Sequence, residues 1–124
     1  MIRGIGIDVV EIARIEEMMR RWGNRFGERV FTDEELAYAG DRANRAASLA
    51  ARFAAKEAFA KALGTGWDRA FNWKDFWVRS TDGGRPVAVL SPSMQQRLGD
   101  ARVLLSLSHS DHYAVAVVLL EEGA

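Results

Sequence analysis

The sequence has no cysteine, no net charge and no apolar run long enough to cross a bilayer, and each absence removes a class of protein. Without cysteine there is no disulfide framework, no thiolate nucleophile and no thiolate metal site. Seventeen Lys and Arg balance seventeen Asp and Glu, so a general electrostatic grip on nucleic acid is not expected. No stretch approaches the roughly twenty apolar residues of a membrane span. The opening "MIRGIGID" is too short, and meets an acid too early, to be expected to act as a signal peptide, so the cytoplasm is the default compartment. A serine-hydrolase elbow, a P-loop, an HExxH helix and a dinucleotide fingerprint are all missing. So are linkers, internal repeats and low-complexity segments. What remains is 124 residues, 48% hydrophobic and 27% charged, which suits one domain over 1–124 with a modest core.

The element pattern predicts an α+β domain. In "IRGIGIDVV", Ile5, Ile7 and Val9 alternate with Gly4, Gly6 and Asp8, a strand whose second face is bare and open to a close backbone approach. A helix follows, with Ile12, Ile15, Met19, Trp22 and Phe26 at core spacing. "FTDEELAYA" starts a short helix capped by Thr32 or Asp33. From Ala46 to Leu63 the chain is almost wholly Ala, Leu and Phe, with no Gly or Pro, which reads as a helix buried on most sides and ending at Gly64. "NWKDFWVRSTDGGRPVAVL" is a hairpin turning at Asp82-Gly83-Gly84, and "SPSMQQRL" a short helix with Ser cap and early Pro. "RVLLSLSHSDHYAVAVVLLEE" is a second hairpin turning near Ser110 to His112. The sum is one N-terminal strand, several helices including the long Ala-rich one, and a mainly antiparallel sheet.

Two charged residues stand out inside the Ala-rich helix. Ala50, Ala54, Glu57 and Lys61 follow at spacings of four, three and four, so they form one row. Glu57 and Lys61 can be a bland surface ion pair on the edge of a core helix, or two members of a site. Asp8 divides the same way. Asp8-Val9-Val10-Glu11 has the form of a capping box, yet Asp8 also sits at a strand end on the glycine face, where a metal could approach. Two carboxylates converging with waters are what Mg²⁺ prefers. The turn at Gly83, Gly84, Arg85 and Pro86 is sufficient as a plain hairpin, and Ser106, Ser108 and His109 as polar residues at a sheet rim. Between Arg20 and Arg29 four arginines face a single acid, Glu28.

The ordered motifs "GIGIDVVEI", "RVFTDEE", "RFAAKEAFAKALGTG", "GRP" after a turn, and "SLSHSDHYAVAVV" resemble those of the holo-acyl-carrier-protein synthases, the small bacterial 4′-phosphopantetheinyl transferases. The resemblance covers nearly the whole chain. It implies transfer of the phosphopantetheine arm of coenzyme A to a serine of an acyl carrier protein, with release of 3′,5′-ADP, in support of fatty acid biosynthesis. The nucleophile would then belong to the partner, which fits the missing nucleophile motifs. By the resemblance Asp8 and Glu57 are magnesium ligands and Lys61 a point charge on the phosphates. Glu57, or a water it holds, accepts the serine proton. Gly84, Arg85, Pro86, Ser108 and His109 line the coenzyme A nucleotide site, with Arg85 able to reach the 3′-phosphate. Arg45 and Arg52 are weaker candidates, since surface arginines at a helix start are usually solvated.

Similar proteins are homotrimers with active sites between subunits, which fits final strands that are apolar on both faces. They also bind an acidic carrier protein through the first long helix. There Arg14, Met18, Arg21 and Arg25 form a stripe, with a flexible apolar residue ringed by cations; a merely solvated face is the plainer account. Two other functions use the same residues. One is a Mg²⁺-dependent phosphohydrolase acting on a nucleotide, which needs a water nucleophile and no protein partner. The other is a non-catalytic oligomeric binding module, with Asp8 a cap and Glu57 a structural pair.

Overall fold

Residues Ile2–Glu11 form strand β1, and what lies against its glycine face organises the rest. The computed structural model describes residues 1–41, 43–65 and 72–123. After β1 come α1 (Ile12–Trp22), α2 (Asn24–Val30), α3 (Asp33–Ala39) and α4 (Arg45–Leu63). Strands β2 (Phe76–Ser80) and β3 (Pro86–Leu90), helix α5 (Pro92–Leu98), and strands β4 (Arg102–His109) and β5 (Tyr113–Glu121) complete the order. The α+β expectation holds, with the strands divided between two antiparallel sheets: β1-β5-β4, and the hairpin β2-β3.

Helix α4 lies on the three-stranded sheet, and glycine makes the contact possible. A Cβ on Gly6 would run into the carbonyl oxygen of Ala58, and one on Gly4 into that of Ala62. Without those side chains, strand and helix backbones close to a distance no other residue allows. The register fixes the rest of that face. Asp8 pairs with Ala116, which pairs with Leu107, so all three share the side that meets α4. Ala114, Ala116, Val118 and Leu120 are buried beneath the helix. Twelve of the nineteen α4 residues are buried, as a helix apolar nearly all round requires. Phe59 stacks on Phe76 with ring centroids 4.4 Å apart, tying the two-stranded sheet to the same core.

The opposite sheet face carries Ile5, Ile7, Val9 and Leu104, all exposed, next to half-buried Val115, Val117 and Leu119. A sheet this apolar on both faces is an exposed patch of the kind that marks an interface.

One expectation and one open alternative fail locally. The single helix from Ile12 to Phe26 breaks at Gly23, whose φ of 56° suits glycine. Its N–H caps the Met19 carbonyl. Ile12 and Ile15 are buried, but Trp22, at the last turn before that break, is 48% exposed. Asp8 is no helix cap either. The ladder with β5 continues through Glu11, so the helix starts three residues later than the capping pattern asks. Thr32 does cap α3, in a full capping box with Glu35.

Candidate active site

Helix α4 divides the candidate residues into two groups, one on each flank. On the β1 flank the strand runs against the helix: Gly4 lies by Ala62 and Gly6 by Ala58, so Asp8 comes level with the preceding turn. Lys61 reaches it. Its Nζ lies 3.0 Å from Asp8 Oδ1 and 3.0 Å from the Ile7 carbonyl oxygen. Glu57, half-buried, sits one turn earlier in the same row as Lys61. The lysine is thus engaged across the sheet–helix seam and is more than the outer half of a surface pair. Asp8 is 18% exposed and Lys61 54%, so a ligand can reach both.

This donor set fits a hard divalent cation. Among the described residues no group of three or more His, Cys, Asp or Glu comes together. Asp8 and Glu57 would be the residues to hold the cation, since a sparse set of carboxylate oxygens at a partly exposed edge suits Mg²⁺.

The other flank holds a cleft of about 210 Å³ whose lining includes Ser48, Arg52, Ser80, Gly84, Ser108 and His109. Pro86, Tyr38 and Ala39 also border it. Four of the five expected nucleotide residues therefore meet in one place; Arg85 is exposed and lies outside that lining. The turn that brings Gly84 there needs glycine, because Gly83 and Gly84 have φ of 84° and 83°. Arg52 departs from expectation. It is 5% exposed, no solvated surface residue, and burial pushes its pKa below the ordinary arginine value while the Glu35 carboxylate opposes that shift. Its Nη1 donates to Ser48 Oγ at 3.1 Å and its Nη2 to Ser80 Oγ at 3.0 Å. Arg45 lies at the start of α4 and donates to the Gly40 carbonyl, which closes the preceding helix.

The arginine stripe is split by the break at Gly23. Met18 and Arg25 border a groove of about 450 Å³ with Trp22, Phe26 and Arg29, whereas Arg14 and Arg21 stay exposed beside it. Arg21 lies over the Trp22 ring at 5.4 Å, so the exposed tryptophan has a cationic neighbour.

Sequence reasoning missed the pair Glu35–Lys56. Both side chains are fully buried, with Lys56 Nζ 3.0 Å from Glu35 Oε1. Lys56 also donates to the Trp73 and Phe76 carbonyls, and Glu35 Oε2 accepts from the Val78 N–H at 3.1 Å. The signal was present: a lysine surrounded by positions that all read as buried must find a buried anion.

Residues 4–118 match the family model described as the 4′-phosphopantetheinyl transferase superfamily. The chain belongs to that superfamily. It is 46% identical to the holo-[acyl-carrier-protein] synthase of Koribacter versatilis over 98% of this chain and 100% of the relative. To the protein of the same name from Chlamydia trachomatis serovar L2 it is 48% identical, over 95% and 98%. Among solved structures it resembles the holo-(acyl-carrier-protein) synthase of Bacillus anthracis in complex with CoA (3′,5′-ADP). The TM-score is 0.84 and the identity 40%, with 99% of each chain covered. The superfamily member from Neisseria meningitidis superposes with a TM-score of 0.89 at 36% identity, covering 98% of this chain and 100% of that one.

Proposed function

We infer that the protein has holo-[acyl-carrier-protein] synthase activity: it transfers 4′-phosphopantetheine from coenzyme A to a serine of apo acyl carrier protein and releases 3′,5′-ADP. The observation that carries the site assignment is the contact between Lys61 and Asp8, 53 residues apart in sequence, in the same helix row as Glu57. The whole chain, 1–124, is read as one transferase domain.

The chemistry follows from the charges. The serine oxygen forms a bond to the phosphorus that carries the pantetheine arm, and the bond from that phosphorus to the bridging oxygen of 3′,5′-ADP breaks. Asp8 and Glu57 would hold Mg²⁺, which supplies charge neutralisation at the pyrophosphate. Lys61 places a cation on the same phosphates, exchanging its Asp8 contact for theirs. Glu57, or a water hydrogen-bonded to it, accepts the serine proton. No nucleophile is needed from this chain; alignment and electrostatics are its part.

Coenzyme A must also place its nucleotide. The cleft with Gly84, Pro86, Ser108 and His109, flanked by Arg85, is the site we assign to it. Within one chain α4 stands between this cleft and Asp8. Leu107 and Asp8 lie on opposite edge strands, two strand spacings or about 10 Å apart. A ligand touching both groups is best bridged between protomers, one giving the acids and its neighbour the cleft. The exposed apolar face of the sheet supports such an assembly, and we assign a homotrimer with active sites at its interfaces. Among the described residues no helix is long and apolar enough to cross a membrane, and we assign the cytoplasm as the working compartment.

The carrier protein docks, in this reading, on the groove at Met18, with Arg14, Arg21 and Arg25 steering its acidic surface. Incubation of an apo carrier protein with this protein, Mg²⁺ and coenzyme A should add the mass of phosphopantetheine to the carrier. Hydrolysis of coenzyme A at the same rate without carrier would overturn transfer. Arg14→Glu or Arg21→Glu should raise KM for carrier and leave that for coenzyme A; normal carrier binding by both at low salt would move the docking surface elsewhere.

A further inference from the structure

The buried charges around α4 do not balance locally, and the imbalance falls at the cleft. Lys56 and Arg52 are two buried cations, and the carboxylate that both sense is the single buried Glu35. Lys56 takes that carboxylate directly, at 3.0 Å. The other buried carboxylate among the described residues, Asp75, is engaged by Ser91 Oγ and the Asn72 N–H, each at 2.9 Å. Arg52 is left with neutral partners: Ser48 Oγ at 3.1 Å, the Ser48 carbonyl at 3.3 Å, Ser80 Oγ at 3.0 Å and the Tyr38 side chain. Its Nε has no hydrogen-bond partner among the described residues. A buried cation with an unspent donor, on the wall of a cleft, fits an incoming anion.

Tyr38 decides how that cation is presented. The Arg52 Cζ lies 4.6 Å from the centroid of the Tyr38 ring, within the range of a cation–π contact, and both residues border the cleft. Tyr38 stands one turn beyond Glu35 on α3. The Glu35 carboxylate fastens that helix to α4 through Lys56 and to β2 through the Val78 N–H. The ring is therefore held in place by the most buried ion pair in the described chain.

We propose that Tyr38 is a positioning residue for the nucleotide end of coenzyme A, its ring covering one face of the Arg52 guanidinium and holding it ready for the 3′-phosphate. This rests on the reading of the cleft as the nucleotide site. The pyrophosphate belongs to the Asp8–Glu57–Lys61 flank, so the 3′-phosphate is the remaining anion. Covering one guanidinium face from water strengthens the contact that the edge makes.

The test uses the full chain and two ligands, coenzyme A and 3′-dephospho-coenzyme A, in equilibrium binding and in steady-state transfer. Tyr38→Leu should weaken coenzyme A about five- to tenfold, leave dephospho-coenzyme A as in wild type, and keep the turnover at saturating coenzyme A. Tyr38→Phe keeps the ring and should bind both ligands normally. Equal losses for the two ligands in Tyr38→Leu, or a Tyr38→Phe as defective as Tyr38→Leu, would overturn the proposal. Arg52→Gln separates it from the reading beneath. If that variant still prefers coenzyme A as strongly as wild type, the cleft assignment fails. If it loses the preference while Tyr38→Leu retains it, only the role of Tyr38 fails. Tyr38 lies at the rim, so its replacement leaves the core intact, and a thermal melt of each variant confirms that.

Discussion

Lys56 and Lys61 stand five residues apart on one helix and make the same kind of contact, an ammonium 3.0 Å from a carboxylate. Lys56 is wholly buried, and its remaining donors are met by two main-chain carbonyls. Lys61 is 54% exposed. A buried pair is costly to break because each partner left alone is a desolvated charge, whereas an exposed one is weak and exchangeable. The difference teaches where this helix keeps its stability and where, in the reading proposed above, it receives a phosphate: a pair must be weak if a substrate is to replace one of its members.

The comparison is broken most forcefully at the buried end. Lys56→Met should cost about 3–5 kcal/mol, the penalty for stranding a buried carboxylate, a large part of the roughly 5–15 kcal/mol a domain has. Denaturant midpoints would show it. Adding Glu35→Gln to Lys56→Met should recover much of the loss, since the pair is then removed together. Full additivity of the two losses would mean that the residues act separately.

At the exposed end the order of effects should reverse. Asp8→Asn and Glu57→Gln should each lower transfer by about 10²–10³, with little change in melting temperature. Near-normal turnover by Asp8→Asn would remove Asp8 from the metal assignment. Lys61→Ala comes next: a loss in turnover of about tenfold or more, and a stability change under about 1 kcal/mol. A drop in melting temperature with unchanged turnover would return Lys61 to a purely structural part.

The smallest effect sharpens the same contrast on consecutive residues of α3. Glu35 is buried, while Glu34 is exposed and bound in a fork to Arg79, with both N–O distances 2.9 Å. The hydrogen bond from Arg79 holds the Glu34 carboxyl below its ordinary pKa. A depressed carboxylate stabilises above its unfolded pKa, and that contribution is lost as pH falls through the lower folded value. Glu34→Gln should therefore lower the melting temperature slightly at neutral pH, with the difference from wild type vanishing as pH falls through the folded pKa. A large loss at neutral pH would show that Glu34 is no longer the exposed counterpart of Glu35.

What could be read from the chain divides along the same line. The bare face of β1, the all-round burial of α4 and the β2–β3 turn were legible, because each is written in local spacing: alternate glycines, an uninterrupted Ala run, adjacent Gly residues. The cap stayed open as an alternative for Asp8 because Asp-x-x-Glu is a local pattern, and the ladder with β5 that overrides it comes from more than a hundred residues downstream. Arg52 was underestimated for the same reason. Its Ser80 partner is 28 residues away, and nothing near position 52 announces it. Trp22 was placed in the core by a helical period that Gly23 interrupts. The fold class, in short-range signals, was open to inspection; the buried charge cluster depends on which distant segments meet, and only the folded chain shows that.

The glycine seam between β1 and α4 has a consequence for anyone who would retune this site. The spacing of Asp8 from Glu57 and Lys61 is set where two backbones touch with only hydrogens between them. The smallest available increment, one methyl group at Gly6, already overlaps the Ala58 carbonyl. The gap therefore admits no gradual adjustment. A wider or narrower site would have to come from sliding the strand by two residues, which restores its face, or from changing the length of the acidic side chains themselves. Geometry here is quantised, and a search by single substitutions along the seam should yield losses before it yields variants.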